Sequence, residues 1–463
     1  MDDLWQPIRF DRALVKKYDR PGPRYTSYPT APHFRADFGA ADHAALLDRS
    51  AEIGRPLSLY VHIPFCTTRC LFCGCNVKIA RDRSWGRRYL PLLEKETALA
   101  AARLGGDRRE VVQVHWGGGT PTFLPPEDLI DLMAILRRHF RFAEGCEIGV
   151  EIDPRECSPA HLDALTATGA NRLSLGLQDL DREVQRAIRR EQSAEETWAV
   201  IDGARQRGIG ESINIDLIYG LPHQTLESFA ETVSEAIRMS PDRLALFNFA
   251  YLPQMFPHQK AIDPDALPDP ETKLSLLEET INAFGAAGYV FIGMDHFAKP
   301  GDPLAQALRD RTLTRNFQGY STCDETDIVA LGVSSISQVG DGYAQNAKSL
   351  EEYRQAIESG NLATQRGLAL SSEDLLRREA ILALMCHFRL DRRVFADRWN
   401  LDFDRHFARD LERLAPLADD GLVEIGESRI EVTPTGRLMV RNIAMAFDAY
   451  LESEPAARYS RTV

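Results

Sequence analysis

The chain has 463 residues, a formal net charge of −13 at pH 7 and a hydrophobic fraction of 44%. This length can supply a barrel of about 250–330 residues and a smaller second domain. The acidic balance argues against nucleic acid and other polyanions as partners, and no apolar run reaches the roughly 18 residues of a membrane helix. Because eight cysteines occur without a signal peptide, we expect a cytoplasmic protein with reduced thiols. As a separate expectation, we predict a monomer.

The first predicted strand, Leu57 to Ile63, alternates in polarity and ends before a proline. Four cysteines follow on the next loop: Cys66, Cys70, Cys73 and Cys75. The spacing of the first three is typical of an iron–sulfur site in which one corner of a cubane lacks a protein thiolate. The alternatives are structural zinc, which usually takes four ligands from two separate pairs, and a disulfide, which a reducing compartment disfavours.

The second predicted strand, Val111 to Trp116, runs into the glycine-rich turn Gly117 to Thr122. Its glycines let the backbone approach a ligand closely. Apolar residues then recur at helical spacing, and Glu127 and Asp128 suit the start of a helix. By itself this turn could be a phosphate loop or only a tight turn, although the Gly-Lys-Ser/Thr of a nucleotide loop is missing.

Further strands are predicted at regular intervals, with helical stretches between them. The strands lie around Ile148 to Ile152, Leu173 to Leu177, Ile213 to Leu217 and Arg243 to Ala250, with an additional one from Gly288 to Met294; helices are predicted over Asp181 to Arg190 and Ser193 to Gly208. Such βα repetition predicts parallel strands with right-handed crossovers. The fold class is therefore α/β, with a closed or partly closed barrel. With Arg243 to Ala250 as the sixth strand, we predict a partial, TIM-like (β/α)6 barrel.

Polar residues gather at the carboxyl ends of these predicted strands, where barrel enzymes keep their active sites. Glu151, Gln178, Arg190 and Asp216 are among them. Taken singly, each could also be an ordinary polar residue of the barrel interior or of a surface helix.

The region after residue 370 has a different character. Ser371 to Asp374 can cap a helix, Phe403 to Ala418 predicts a second helix, and Leu422 to Ile425 with Arg429 to Val432 predicts a hairpin before a final helix through Tyr450. This pattern is winged-helix-like, which usually suggests DNA. However, residues 373–463 contain no lysine and no identifiable basic face. We predict a cap over the barrel mouth.

At the other end, Arg20 to Pro32 contains four prolines and predicts an extended arm. A plain N-terminal tail is the alternative, but Arg24, Tyr25 and Tyr28 are costly choices for a tail. The sequence thus predicts an arm over residues 1–40, a catalytic barrel over 41–370, and a mainly helical, winged-helix-like domain over 371–463.

The cysteine spacing after the first strand resembles the signature of the radical S-adenosylmethionine enzymes, and the glycine turn resembles the motif whose backbone binds the amino group of S-adenosylmethionine in that superfamily. Longer strings across nearly the whole chain resemble one family within it, the oxygen-independent coproporphyrinogen III oxidases. These strings are PRYTSYPTA, YVHIPFC, FCGCN, HWGGGTPT, EIDPRE, GLQD, RREQ, NIDLIYGLP, FIGMDHFA, NFQGY and YAQN.

The resemblance implies that Cys66, Cys70 and Cys73 hold a [4Fe-4S] cluster whose fourth iron is chelated by S-adenosylmethionine. It also implies two molecules of this cofactor. The first would contact Tyr60, Gly118, Glu151 and Ile336, and the second would contact Phe72, Gly119, Thr120, Gln178, Arg190, Asp216 and Ala250. Cys75 matches a cysteine on which the family's activity depends without ligating the cluster, so we predict it to be catalytic; otherwise it is a spare small residue.

The implied reaction converts two propionate side chains of coproporphyrinogen III to vinyl groups, giving protoporphyrinogen IX in heme biosynthesis. It uses a 5′-deoxyadenosyl radical, an unidentified electron donor and an unidentified acceptor. Because the family uses the arm near its substrate cavity, Arg24 is predicted to pair with a substrate carboxylate.

Two alternatives remain. One is a heme-binding chaperone of the same family, and the other is a radical enzyme that acts on a different tetrapyrrole or carboxylated substrate. The chaperones typically lack the arm and the cysteine at position 75, and this chain has both.

Overall fold

The computed structural model describes residues 8–106, 108–210, 212–451 and 461. Strands in this part of the chain are β1 Leu57–Ile63, β2 Phe65–Cys66, β3 Lys78–Ile79, β4 Glu110–Gly118, β5 Arg141–Ile152, β6 Arg172–Gln178, β7 Ser212–Tyr219, β8 Arg243–Asn248, β9 Val290–Gly293, β10 His296–Ala298, β11 Thr314–Asn316, β12 Gly319–Ser321, β13 Asp327–Leu331, β14 Ile336–Val339, β15 Gly342–Asn346, β16 Thr364–Ala369, β17 Arg389–Asp391, β18 Val423–Ile425 and β19 Arg429–Val432.

The α-helices described are α1 Arg12–Tyr18, α2 Ala40–Ile53, α3 Ser84–Leu104, α4 Pro126–His139, α5 Pro159–Thr168, α6 Arg182–Ala187, α7 Ala194–Gln206, α8 Leu226–Arg238, α9 Pro270–Ala286, α10 Pro303–Asp310, α11 Leu350–Glu358, α12 Ser372–His387, α13 Arg392–Trp399, α14 Phe403–His406, α15 Ala408–Asp419 and α16 Val440–Ala444. Within the described ranges, every helix is too short or too polar to span a bilayer.

One large sheet organises the molecule, with the strand order β16-β15-β14-β13-β1-β4-β5-β6-β7-β8-β10-β9. Neighbouring strands from β13 through β8 run parallel. Helices α3 to α8 connect consecutive strands from β1 to β8. The sheet's outermost strands, β16 and β9, are not paired with each other. This arrangement confirms the predicted partial (β/α)6 barrel.

The parallel strands lie in the interior of the protein because their side chains are largely apolar. In β1, Leu57, Leu59, Val61 and Ile63 are fully buried, as expected for strands covered by helices on their outer face. The register places His62 beside Gly117 and Ile63 beside Gly118. The cysteine loop and the glycine-rich turn therefore leave the sheet side by side.

The sheet flanks differ from the predicted run of parallel strands. The additional strand predicted over Gly288 to Met294 is β9, which pairs antiparallel with β10, and β10 pairs antiparallel with β8. On the other side β14, β15 and β16 also run antiparallel. The predicted strand from Arg243 to Ala250 ends at Asn248. Short connections link β9 to β10, β13 to β14 and β14 to β15, and short connections favour antiparallel pairing. Helices α9 and α11 lie in the longer connections that precede β9 and β16.

The last part of the chain carries a three-stranded sheet, β17-β19-β18, whose two final strands form the predicted hairpin. The helix predicted over Phe403 to Ala418 is instead two helices, because Phe407 leaves helical geometry and packs, fully buried, against Phe403 and Phe447. The predicted final helix through Tyr450 is also broken. Its described part is a series of short helical segments that ends at Phe447.

The arm begins with a helix that the sequence did not predict: α1, capped by the Asp11 carboxylate. The residues that follow are bonded to the C-terminal region. Arg441 Nε donates to the Pro23 carbonyl at 2.9 Å, and Tyr25 donates to Asp448 at 3.0 Å. The described part of the arm therefore packs against the described C-terminal region. The boundaries proposed for the three domains stay predictions.

Candidate functional site

The cysteine loop starts where β1 ends. Backbone bonds from Lys78 to the Pro64 carbonyl, at 2.6 Å, and from Ala80 to the Cys66 carbonyl, at 3.0 Å, close this loop. Among the four cysteines, Cys70 is buried, Cys66 and Cys73 are half-buried, and Cys75 is exposed. Hydrogen bonding from Cys75 lowers the pKa of the Cys73 thiol, against the effect of burial. The Cys75 side chain contributes most, and the Cys75 backbone N–H, which donates to Cys73 Sγ at 3.4 Å, contributes less.

The glycine-rich turn packs directly against this loop. Gly119 N–H donates to the Ile63 carbonyl at 2.7 Å, and Thr120 N–H donates to the Phe65 carbonyl at 3.0 Å. A Cβ atom on Gly119 would lie 2.5 Å from the Phe65 carbonyl oxygen, and Gly118 has a φ of +116°. Only glycines allow this approach and this backbone conformation.

Two arginines point at Cys70. Arg155 Nη2 and Arg190 Nη1 each lie 3.7 Å from its sulfur. Both also bind Asp153 Oδ2, at 2.6 and 2.9 Å. Although burial opposes ionisation of Asp153, these two guanidiniums hold its pKa below the usual value. The sequence-predicted cofactor contact Arg190 is thus already engaged, since its Nη2 also donates to the Gly176 carbonyl at 2.6 Å.

The cysteine environment fits an iron–sulfur cluster. Burial and the neighbouring thiols raise the pKa of Cys66, so this group ionises readily only with a positive partner such as iron. The described residues contain no group of three or more His, Cys, Asp or Glu side chains arranged around a single metal ion. Beside the loop, Gln178 Oε1 and Arg190 Nε are buried polar atoms without a hydrogen-bond partner. A bound polar cofactor would satisfy such atoms.

Glu151 lies near the end of β5, and its side chain is 44% exposed. It accepts hydrogen bonds from His115 Nε2 at 3.0 Å and from Gly118 N–H at 3.2 Å. The surrounding protein still opposes ionisation of this partly exposed carboxyl, but the two bonds lower the pKa of Glu151. The Tyr60 ring stacks on His115 with centroids 5.9 Å apart. Tyr60, Gly118 and Glu151, all predicted cofactor contacts, therefore form one connected group.

Asp216, in the middle of β7, lies close enough to Glu151 for the two carboxyls to interact electrostatically. Burial raises its pKa to about 7, against the effect of a hydrogen bond from Asn214 and with the help of the nearby Glu151 charge. Asn214 Nδ2 lies 2.7 Å from the Asp216 carboxylate. A neutral carboxyl at this position can both donate and accept hydrogen bonds, as ribose hydroxyls do.

The other predicted contacts lie on several elements around this edge of the sheet. Thr120 Oγ1 accepts from the Asp153 backbone at 3.2 Å, and Ile336 opens β14. Phe72 packs on a small apolar cluster beside the cysteine loop. The Ala250 carbonyl accepts from Gln259 at 3.1 Å, so this predicted backbone contact is already occupied at that atom.

One buried carboxylate stabilises the turn that leads to the predicted cofactor contact Ile336. Glu96, on α3, accepts from Gly332 N–H at 2.7 Å, from Tyr353 at 2.6 Å and from Asn346 at 2.6 Å. These bonds fix the turn that precedes Ile336. Burial raises the pKa of Glu96 to about 7.

Comparison with known proteins places this geometry in a family. The Radical SAM superfamily model matches residues 60–236, and the model of the HemN C-terminal domain matches residues 370–439. A relative from Escherichia coli named oxygen-independent coproporphyrinogen III oxidase is 49% identical over 459 residues, covering 99% of each chain. A relative of the same name from Synechocystis is 42% identical over 468 residues, covering 100% of each chain.

The chain belongs to the oxygen-independent coproporphyrinogen III oxidase family. A solved structure described as coproporphyrinogen III oxidase (HemN) from Escherichia coli, a radical SAM enzyme, matches with a TM-score of 0.91 and 49% identity. This match covers 96% of the present chain and 100% of the other chain. The two chains therefore share one fold over 96% of the present chain.

In this family member, a cavity of about 880 Å³ lies between the arm, the ends of β7 and β8, helix α9 and the C-terminal region. Five basic side chains lie on its wall: Lys16, Arg24, Lys273, Arg441 and Arg461. The predicted substrate residue Arg24 forms an ion pair with Asp295, another residue of this wall. Lys273 Nζ donates to the Phe249 carbonyl at 3.0 Å, and burial lowers its pKa to about 8.

Sequence reasoning assigned no role to His115, Asp153, Arg155 and Glu96, yet the structure joins them to the predicted oxidase site. The first three carried a usable signal, because they lie in or just after predicted strands at the barrel's carboxyl edge. Glu96 lies within a helix far from any motif, and only its position on a buried helix face could have drawn attention.

Proposed function

We propose that this protein catalyses the oxygen-independent conversion of coproporphyrinogen III to protoporphyrinogen IX in heme biosynthesis. In this reaction, two propionate side chains lose carbon dioxide and become vinyl groups. The 49% identity with the Escherichia coli oxidase over 459 residues is the observation that carries the proposal. The chaperone alternative is not favoured, since the curated relatives reported above are named as oxidases.

When bound, a [4Fe-4S] cluster together with S-adenosylmethionine would supply the radical chemistry that oxidation of the propionate side chains needs. Cys66, Cys70 and Cys73 are the residues that would hold the cluster. Arg155 and Arg190, each 3.7 Å from the Cys70 sulfur, place positive charge beside the position where a thiolate-bound cluster would carry negative charge. The protein's remaining task is to orient the reactants and to exclude water.

We assign the first S-adenosylmethionine to Tyr60, Gly118, Glu151 and Ile336. The ionised Glu151, held by His115 and Gly118, suits a cationic amino group or ribose hydroxyls. A second molecule is assigned to Phe72, Gly119, Thr120, Gln178, Arg190, Asp216 and Ala250. The unpartnered Gln178 Oε1 and Arg190 Nε support this assignment, because both are buried polar atoms beside the same loop.

We assign the substrate to the 880 Å³ cavity, whose volume lies within the usual range for ligand pockets. The four carboxylates of coproporphyrinogen need cationic partners, and Arg24 and Lys273 lie on the wall. In the free protein, Arg24 is paired with Asp295, so a propionate would have to exchange with or join that pair. Lys273 forms no ion pair with any described residue. A substrate carboxylate could therefore pair with its ammonium without displacing another carboxylate.

We place the protein in the cytoplasm as a monomer. It would need an electron donor and an electron acceptor, which are still to be identified. Cys75 is assigned a catalytic role, which its exposed position beside Cys73 permits.

The deciding experiment is anaerobic. The purified protein is reconstituted with iron and sulfide, then given a reductant, S-adenosylmethionine and coproporphyrinogen III. Protoporphyrin (after oxidation of the products) and 5′-deoxyadenosine should appear together, and both should vanish in Cys70→Ser. Cofactor cleavage with untouched coproporphyrinogen would refute the proposal, and a heme-binding titration would then separate the chaperone from an enzyme with another substrate.

A further inference from the structure

A second, much smaller cavity lies where the arm meets β11 and α12. Its polar lining comes from Ser27 on the arm, Arg315 on β11, Gln338 on β14 and Arg378 on α12, and Tyr25 and Tyr343 form part of its wall. Its volume of about 10 Å³ admits one water-sized atom. It is separate from the 880 Å³ cavity, whose lining includes none of these residues.

This small cavity is lined by donors that have nothing to bind. Ser27 Oγ, Arg315 Nη1 and Arg378 Nη1 are all buried atoms without a hydrogen-bond partner. Arg315 as a whole is only 5% exposed and Ser27 only 7%. Buried polar atoms are nearly always satisfied, so three such donors around one space indicate a missing acceptor.

The two arginines also lack a counter-charge. Among the described residues, no carboxylate forms an ion pair with Arg315 or Arg378, and no acidic side chain lines the small cavity. The one hydrogen bond that Arg315 makes within this part of the chain runs from Nε to the Arg24 carbonyl at 3.3 Å. Its guanidinium also lies 4.7 Å from the Tyr320 ring centroid. Burying an unpaired cation is costly, whereas adding an anion removes that cost.

The uncompensated positive charge of Arg315 lowers the pKa of two neighbouring arginines. Burial lowers the pKa of Arg441 to about 10, and the Arg315 guanidinium lowers it further. The same two effects, together with Arg441, lower the pKa of Arg24. One negative charge beside Arg315 would favour the charged forms of both arginines.

We propose that the small cavity binds a single small anion, held by Arg315, Arg378 and Ser27. Its size suits a halide ion or one oxygen of a carboxylate. A water molecule fits less well, because it could bond all three atoms only by donating to Ser27 Oγ and would leave both guanidinium charges uncompensated, whereas an anion accepts from all three and neutralises positive charge.

The position of this anion gives it a structural effect. Tyr25 has a φ of +46°, and at this turn Arg24 faces the large cavity while Tyr25 faces the small one. An anion joined to Ser27 and Arg378 therefore fastens the arm to α12 directly beside Arg24. This inference does not depend on the proposed reaction.

The direct test is diffraction from crystals of the full chain soaked in sodium bromide, with data collected at the bromine absorption edge. We expect an anomalous peak between Arg315 and Arg378. A map without a peak there, or with an ordinary water in its place, would overturn the proposal.

A solution test uses thermal unfolding at constant ionic strength, with sodium bromide replacing sodium fluoride, whose anion is strongly hydrated. At a bromide concentration about tenfold above Kd, the melting temperature should rise by about 1–2 °C. Arg378→Gln should abolish the difference between the two salts. Arg393→Gln, which changes an exposed arginine of the same region, should keep it. Equal responses of the wild type and Arg378→Gln would count against the site.

The source of the anion is decided with coproporphyrin III, whose binding is followed by fluorescence in the same two salts. If the site receives a substrate propionate, bromide weakens coproporphyrin binding severalfold and Arg378→Gln weakens it as well. If the site holds a free halide, coproporphyrin affinity is unchanged while the anomalous peak remains. Either result supports the site and identifies its occupant.

Discussion

Arg190 Nη1 lies 2.9 Å from Oδ2 of Asp153, and both side chains are largely buried beside the cysteine loop. Arg155 binds the same oxygen from the other side. One carboxylate thus orients two guanidiniums toward Cys70. This relationship connects the residue after β5 to the cysteine loop. Because both arginines pair with Asp153, a neutral residue in place of one of them leaves the other arginine paired.

Arg190→Gln should therefore keep the cluster and impair the use of S-adenosylmethionine. We expect iron content near that of the wild type, with kcat/KM for 5′-deoxyadenosine formation lowered about 10- to 100-fold, or ~1.4–2.7 kcal/mol. The matched control is Arg189→Gln, its exposed neighbour, which should behave as the wild type. Unchanged kinetics in Arg190→Gln would remove this residue from the site.

Gly119→Ala should damage the contact between the glycine-rich turn and the cysteine loop. The new Cβ would lie 2.5 Å from the Phe65 carbonyl oxygen, which is backbone and cannot turn away. We expect loss of cofactor binding, measured by equilibrium dialysis of S-adenosylmethionine. The control Gly285→Ala lies in exposed helix with open space around it and should stabilise the protein by about 0.5–1 kcal/mol. Full cofactor binding by Gly119→Ala would show that the turn can shift.

Cys75→Ser should separate cluster binding from catalysis. The exposed Cys75 is not needed as a ligand if Cys66, Cys70 and Cys73 suffice, so iron content and the visible absorption of the cluster should persist. Protoporphyrin formation should fall at least about tenfold, or ~1.4 kcal/mol in the barrier. Cys73→Ser, in contrast, should lose the cluster itself. If Cys75→Ser also loses iron, this cysteine has a structural or ligating role.

Glu96 should make the protein less stable as the pH rises. Its pKa is raised from 4.5 to about 7 in the folded state, so between these values the folded chain binds the proton more tightly than the unfolded chain. The stabilisation is complete below pH 4.5 and is lost as the pH approaches 7. Across this window the free energy of unfolding should fall by about 3 kcal/mol relative to Glu96→Gln.

Denaturant titrations at several pH values check this difference. Glu94→Gln, on the same helix but 41% exposed, is the control and should follow the wild-type pH dependence. A wild type and a Glu96→Gln variant with parallel curves would mean that Glu96 is ionised, or protonated, throughout the window.

Arg24→Ala should raise KM for coproporphyrinogen while the cluster absorption stays unchanged. A lost carboxylate contact predicts an increase of about tenfold, or ~1.4 kcal/mol. Arg12→Ala removes an arginine of the same arm that instead binds Glu278 and Ser275, and it should leave KM unaltered. Equal KM values for Arg24→Ala and the wild type would exclude Arg24 from substrate binding.

Local patterns predicted much of the barrel. The alternation over Leu57 to Ile63 gave the bounds of β1, and prolines with acidic residues marked the start of α4. Strand direction at the sheet edges was not predictable, because it depends on which distant strand offers a free edge. The break at Phe407 likewise depends on aromatic partners as far along the chain as Phe447.

For the site, the spacing of the cysteines and glycines predicted adjacent loops, and the register of β1 with β4 brings them together. The roles of Gln178, Arg190, Asp216 and the other cofactor contacts came from resemblance and stay predictions. The three hydrogen bonds that Glu96 accepts could not be predicted, since Gly332, Asn346 and Tyr353 lie more than two hundred residues away.

The contact between Arg441 and the Pro23 carbonyl joins residues 418 positions apart. During synthesis, the arm emerges from the ribosome first but cannot reach this anchor until almost the whole chain has followed. The parallel strands and the cysteine loop are complete well before that moment. The wall of the large cavity, to which Arg24 and Arg441 both contribute, can therefore be completed only after the parallel strands and the cysteine loop have been synthesised.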